Sequence, residues 1–393
     1  MNYSLYIHIP FCLRRCHYCD FITYTGQSAY IGAYVDALIH ELRIVNRQKP
    51  DIQLHSVYFG GGTPSLIPSS YYAKILEAID SFFLITSDCE ISIEANPNGL
   101  SFGYLKELRS LGFNRLSLGV QSMNTFDLSR LDRLHSVWDV LASLANARKA
   151  GFNNLNLDLI FGLPWQDLND WQTCLLQALK LHPEHFSIYS LIIEPGTPLF
   201  TWYQRGLIMP QNQDLEADMF EFVIDTLNQA GFDHYEISNW AKRDSKHDYR
   251  CRHNLQYWLG YPYLGIGVGA HGFASGYRTV NTPTIHGYIR KNISVEAFTG
   301  TFPHTPSQAV VEKIDTATQM MDFMIMGLRL VKVGVSTERF TQLFGKLMKE
   351  VFQKEIDTLI GQGLVKWTDK HQTNLILTKR GLMVANHVFM EFV

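Results

Sequence analysis

The feature that most narrows the folds open to this chain is a punctuation mark used three times. Gly112 in Leu-Gly-Phe-Asn, Gly151 in Ala-Gly-Phe-Asn and Gly231 in Ala-Gly-Phe-Asp each close a helical pattern, where a left-handed cap is wanted. The first 240 residues alternate such patterns with short β-branched or aromatic runs. Strands are expected at 5–9, 57–59, 91–94, 115–119, 156–159, 186–192 and 234–238, and helices at 30–46, 71–82, 102–111, 137–150, 168–181 and 215–230. Repeated βα units with right-handed crossovers make a parallel sheet covered by helices, and about six units are too few for a closed eight-stranded barrel. The expected fold is α/β, a partial (β/α)6 barrel.

Past Pro303 and Pro306 the pattern turns mainly helical. A methionine-rich helix falls within 309–330, followed by helices at 336–347 and 348–360, a hairpin over 364–377 and a last helix from Thr378. Methionines on an apolar face fill core gaps, and helices followed by a hairpin resemble a winged-helix module. The chain thus divides into 1–240, a connecting segment 241–300, and a smaller helical domain 301–393, read as a lid or docking domain.

With 393 residues, 46% of them hydrophobic and 18% charged, the chain can bury a full core. A net charge of -3 without a long basic run gives no electrostatic reason to expect nucleic acid as a partner. No stretch reaches the ~18 apolar residues of a spanning helix, and the N-terminus lacks a basic segment followed by an apolar core, so a cytoplasmic protein is expected. Six cysteines, three of them scattered (Cys89, Cys174, Cys251), fit a reducing compartment better than a disulfide framework.

The other three, Cys12, Cys16 and Cys19, form a C-x3-C-x2-C loop directly after the first expected strand. Three thiolates suit a 4Fe-4S cluster with one iron left open to a ligand. Structural zinc is the alternative, with His8, His17 or Asp20 as the fourth donor. More polar residues fall at the C-terminal ends of strands, where such folds do chemistry. Gly60-Gly61-Gly62-Thr63 follows the second strand, and its glycines let backbone N–H and C=O groups approach a ligand. Glu94 ends the third strand, Gln121 the fourth, and Asp158 lies inside the apolar fifth, where Arg133 is one cation that could balance it. Each taken singly serves equally well as a capping or solvated residue; their common position is the argument.

The cysteine loop, Gly-Gly-Gly-Thr-Pro, Ile-Glu-Ala-Asn-Pro, Leu-Gly-Val-Gln-Ser and Asp-Leu-Ile-Phe-Gly-Leu-Pro together resemble the radical S-adenosylmethionine (SAM) superfamily, in the branch of the oxygen-independent coproporphyrinogen III oxidases. The resemblance implies a radical SAM barrel with Cys12, Cys16 and Cys19 on a 4Fe-4S cluster whose free iron takes the methionine end of SAM. It further implies SAM contacts from Tyr6, from Gly61, Gly62 and Thr63 at the methionine end, from Glu94, and from Gln121, Arg133 and Asp158, which complete the pocket. Coproporphyrinogen oxidases carry one more cysteine two residues beyond the third and a longer segment before the loop; here Phe21 stands in that place and the loop begins at residue 12.

Arg252-His-Asn-Leu-Gln-Tyr-Trp258 instead resembles the H-N-x-x-Y-W motif of the branch's haem-chaperone members. Imidazole is a good axial ligand for haem iron, and Tyr257 and Trp258 can cover the macrocycle; a hydrogen-bonded core or surface role is the other reading of His253. Cys251 is either an inert buried thiol or a competitor for the iron. The surrounding 238–263 reads as a long functional loop, and the glycine run 265–269 as a close backbone approach with no clear strand before it. Haem-requiring apoproteins are the implied partners, some at the membrane, where the protein would attach peripherally, and the cluster implies a homodimer. The competing function is that of an oxygen-independent coproporphyrinogen III oxidase.

Overall fold

A computed structural model describes residues 2–293 and 298–393. Met1 and residues 294–297, which fall in the expected first domain and connecting segment, lie outside the described residues. The chain forms two compact units, one of residues 1–223 with 262–312 and one of 224–261 with 313–393. The segment 241–300 is thus shared between them.

In the first unit six strands, β1 (Asn2–Ile9), β2 (Gln53–Gly61), β3 (Leu84–Ala95), β4 (Arg115–Gln121), β5 (Leu155–Phe161) and β6 (His185–Ser190), lie side by side in chain order. Every neighbouring pair is parallel. Helices Ile31–Gln48, Ser69–Phe82, Phe102–Ser110, Val137–Lys149 and Leu168–Leu179 connect them. Ser101, Ser136 and Asp167 cap the last three by accepting backbone N–H groups. The expected glycine caps form: φ is +103° at Gly112 and +93° at Gly151, and the Phe113 and Phe152 amides reach back to Leu108 and Ala147 carbonyls as both rings bury completely.

Alternation within the strands explains where the chemistry can sit. Leu5, Ile7, Val57, Phe59, Ile93, Leu116, Leu118, Leu157, Phe186 and Ile188 are buried apolar positions. The intervening positions are polar, and their side chains meet across the strands: Ser4 with Ser56 (2.5 Å), Tyr58 with Glu94 (2.9 Å), Asn156 with Ser117 (2.6 Å) and His185 with Asn156 (2.6 Å). A period of two therefore gives the sheet one apolar face and one hydrogen-bonded polar face.

The run 263–269 departs from expectation. Tyr263–Ile266 is a strand, parallel to β1 on the side away from β2. Gly265 within it and Gly267 just after it hid it, yet both are needed, because a Cβ on Gly265 would lie 2.0 Å from the His271 carbonyl oxygen and one on Gly267 2.8 Å from that of His8. The close backbone approach is present, and it is made by a strand where none was expected.

In the second unit, Phe232–Glu236 pairs antiparallel with Asn239–Lys242, so the expected strand 234–238 belongs to a hairpin. The presumed loop 238–263 also contains the helix Arg252–Trp258, too short at seven residues to show periodicity. Gln308–Lys313, which closes the first unit, is a strand where the helical pattern was expected to begin, and the methionine-rich helix of the second unit starts at Thr316. Its Met320 and Met324 are core residues, near an aromatic chain running from Phe323 through Phe340 and Phe352 to Phe392. Helices Thr337–Phe344 and Met348–Gly361 precede an antiparallel hairpin of Val365–Trp367 with Asn374–Leu377, which Val335–Ser336 joins as a third strand.

Candidate functional site

The cysteine loop leaves the C-terminal end of β1 and is pinned at both ends. Phe11–Cys12 pairs with Tyr24–Thr25, and Tyr24 N–H donates to the Pro10 carbonyl at 2.7 Å. In the middle, His17 N–H donates to the Leu131 carbonyl (3.2 Å) and the His17 ring bonds the Arg130 carbonyl (3.0 Å). The glycine turn closes on the same loop. Gly62 N–H donates to Ile9 O (2.8 Å), Thr63 N–H to Phe11 O (2.9 Å) and Gly61 N–H to a Glu94 oxygen (3.0 Å). These amides hold the protein's own loop and carboxylate, so the turn does not offer them to a ligand. A Cβ at residue 62 would stand 2.8 Å from the Phe11 oxygen and 3.0 Å from Cys12 Sγ.

All three loop thiols are unbridged and half-buried. Thr63 Oγ1 lies 3.5 Å from Cys12 Sγ, and Arg133 Nη1 donates to Cys16 Sγ at 3.5 Å. Burial raises the thiol of Cys12 and pushes that of Cys19 up to about 11. A soft metal overrides such a shift, because ligation replaces the proton outright. Among the described residues no group of three or more His, Cys, Asp or Glu stands ready for a single metal ion. A cluster asks for something different, since each thiolate takes its own iron and the sulfurs stand apart around a cube.

The other candidates line the ends of the neighbouring strands. His8 Nε2 must donate to the Ile22 carbonyl (2.9 Å), which leaves Nδ1 to accept the Tyr6 hydroxyl (3.0 Å) and keeps this buried ring neutral. Tyr6 stacks on Tyr58, whose hydroxyl donates to Glu94. Burial, and then the charge of Asp158, push the Glu94 carboxyl up to about 7. Asp158 is raised by burial, against donors Ser117 (3.0 Å) and Asn156 (2.7 Å). The cation that lowers both carboxyls is Arg115 at the start of β4, in place of the expected Arg133. Arg133 instead donates to Gly119 O (2.6 Å), Asn96 Oδ1 (2.5 Å) and Cys16, while its buried Nε has no partner. Gln121 ends β4 with a left-handed φ of +67°. Sequence reasoning passed over Asn96, Arg115 and the half-buried Tyr18; Asn96 stood inside a quoted motif, but its partners are 33 and 37 residues away.

His253 belongs to the second unit. It is 1% exposed, its Nε2 lies 2.6 Å from the Tyr257 hydroxyl, and the two rings meet edge to face. Cys251 is fully buried before the helix, its N–H donating to the Tyr235 hydroxyl at 3.2 Å. The Arg329 guanidinium covers the Trp258 ring at 4.2 Å.

A parallel sheet with a three-thiol loop after its first strand and polar residues at the following strand ends is the arrangement of a radical SAM protein, and residues 6–176 match the Radical SAM superfamily. Residues 314–384 match the HemN C-terminal domain. The fold is shared with the coproporphyrinogen III oxidase HemN of Escherichia coli, at a TM-score of 0.82 and 23% identity over 100% of this chain and 90% of that one. A Bacillus subtilis protein named heme chaperone HemW is 38% identical over 99% of this chain and 98% of its own length. A Lactococcus lactis protein of the same name is 34% identical over 99% and 97%. The chain belongs to the HemW family, within the HemN-like branch of the radical SAM superfamily.

Membership implies a 4Fe-4S cluster and SAM. The residues fit both groups. Three unbridged thiols supply a soft donor set, residue 62 lacks the Cβ that would crowd Cys12, and the orphaned Arg133 Nε is a buried cationic donor of the kind a carboxylate satisfies. Among the described residues no helix is long and apolar enough to cross a membrane.

Proposed function

We propose that the protein is a haem chaperone. It holds a 4Fe-4S cluster through Cys12, Cys16 and Cys19, and SAM through Tyr6, Gly61, Gly62, Thr63, Glu94, Gln121, Arg133 and Asp158. It carries haem b to haem-requiring apoproteins, some at the membrane, working as a peripherally attached cytoplasmic homodimer. When bound, the cluster supplies one electron to the sulfonium of SAM; the chain's own residues bind, orient and shield. The observation that carries this reading is the full-length likeness to proteins named heme chaperone, which spans both the cysteine loop and the His253 helix. Phe21, 62% exposed, supports it, because it puts carbon where the oxidases have a fourth sulfur.

The axial ligand we assign is His253, released from Tyr257 when haem arrives. Titrating anaerobic protein with haem should give a Soret band that changes in His253→Ala, and an unchanged band removes that ligand. Incubation with coproporphyrinogen III, SAM and a reductant should leave the porphyrinogen intact. Accumulated protoporphyrinogen would overturn the chaperone reading in favour of an oxidase.

A further inference from the structure

Asn96, just past the end of β3, touches neither sulfur, yet it joins the two residues that do. Its Nδ2 donates to Thr63 Oγ1 at 3.0 Å, and Thr63 Oγ1 is 3.5 Å from Cys12 Sγ. Its Oδ1 accepts from Arg133 Nη2 at 2.5 Å, and Arg133 Nη1 donates to Cys16 Sγ at 3.5 Å. An unbroken chain therefore runs from one cysteine to the other through a single amide.

Direction within this chain follows from the donor inventory. A threonine hydroxyl has one proton. Because Asn96 gives Thr63 a hydrogen bond to accept, that proton is left for the Cys12 sulfur. Because Asn96 accepts from one Arg133 nitrogen, with the Gly119 carbonyl at 2.6 Å from the same nitrogen, the other is held against the Cys16 sulfur. The backbone is cut to admit this arrangement. A Cβ on Gly119 would stand 3.2 Å from Arg133 Nη2 and 3.4 Å from Asn96 Oδ1, close enough that the guanidinium would have to shift. Behind it, the Asn96 N–H makes only a long contact with Ser65 Oγ, 3.4 Å away.

We propose that Asn96 is a positioning residue that aims one hydrogen-bond donor at each of two cluster sulfurs and so tunes the cluster's reduction potential. This rests on Cys12, Cys16 and Cys19 holding a 4Fe-4S cluster. Hydrogen bonds to cluster sulfurs favour the reduced, more negative state, so their loss lowers the potential.

The test is a potentiometric titration of the SAM-free protein followed by electron paramagnetic resonance, with iron and sulfide counted per chain. Asn96→Leu keeps size, adds no charge and removes both hydrogen bonds. At a fixed applied potential its reduced-to-oxidised ratio should fall on the order of tenfold, which is 59 mV for one electron. Asn96→Asp should fall further, since a carboxylate accepts the Thr63 proton and takes it from Cys12. Ser65→Ala, which touches only the Asn96 backbone, should match the wild type. A wild-type cluster with an unchanged potential in Asn96→Leu overturns the clamp alone. Wild-type protein without iron and sulfide overturns the cluster on which it rests. Should Asn96→Leu fail to fold, Asn96→Asp, nearly the same shape, decides by the same ratio, and an unchanged value again refutes the clamp.

Discussion

The cysteine loop in the first unit and the His253 helix in the second, the places proposed for the cluster and for haem, are arranged in opposite ways. Around the loop, backbone bonds fix the chain, sulfurs already face donors, and a buried guanidinium nitrogen stands without a partner. On the helix His253 is 1% exposed and its Nε2, the nitrogen we propose for haem, is engaged by a tyrosine at 2.6 Å. One site is built in advance and leaves an unmet demand, as suits a resident cofactor. The other has its demand met internally, as suits a cargo that must be taken up and given away.

The harshest challenge to the first half of that contrast is Cys16→Ser. Serine is a hard, weakly acidic donor where the cluster needs a thiolate. Iron and sulfide per chain should fall more than tenfold while the far-ultraviolet circular dichroism is kept. A full complement in the variant would show that the loop is not the binding site.

Glu94→Gln probes the cost of building in advance. The Glu94 carboxyl has its pKa raised from 4.5 to about 7 by burial and by Asp158. Between those values the unfolded chain gives up a proton that the folded one keeps. Stability therefore falls as pH rises from 4.5 to 7 and stays low above it, by roughly 3 kcal/mol in the limit. Glutamine can still accept from Gly61 and donate to Tyr58 without that charge. In SAM-free protein the denaturation midpoint of Glu94→Gln should exceed the wild type at pH 8 and approach it at pH 5, while SAM affinity drops. Parallel pH profiles would mean that Glu94 does not carry the raised titration.

How much of this was legible depends on the distance over which each feature is decided. The six strands and five connecting helices follow from periods visible in short windows, and Gly112 and Gly151 mark their joints through a local steric need. Site residues at strand ends were legible because topology puts all such ends on one side. Asn96 and Arg115 were not, since their roles exist only once β3, β4 and the loop are side by side. The strand Tyr263–Ile266 was missed because glycine gives no β signal while being what the crowded backbone requires there. The latch on His253 was equally hidden: i and i+4 on a helix face each other, but a helix of seven residues does not announce itself.

That latch is directly testable. If the Tyr257 hydroxyl competes with iron for His253 Nε2, then Tyr257→Phe removes the competitor at the cost of one hydrogen bond. A net bond of about 1 kcal/mol predicts roughly fivefold tighter haem binding by Soret titration. Weaker binding would mean that Tyr257 shapes the haem surface instead of restraining the histidine, and the contrast between the two sites would narrow.

The smallest expected effect separates what pins the loop from what merely decorates it. Arg14 pairs with Asp132 at 2.8 Å, with side chains 54% and 24% exposed, in the same turn whose Arg130 and Leu131 carbonyls bond His17. An exposed pair is screened and contributes at most about 1 kcal/mol. Arg14→Ala should therefore leave cluster content and its rate of loss to a chelator within about twofold of the wild type. A large acceleration would place the loop's order in its surface charges, and the first site would then be no more built in advance than the second.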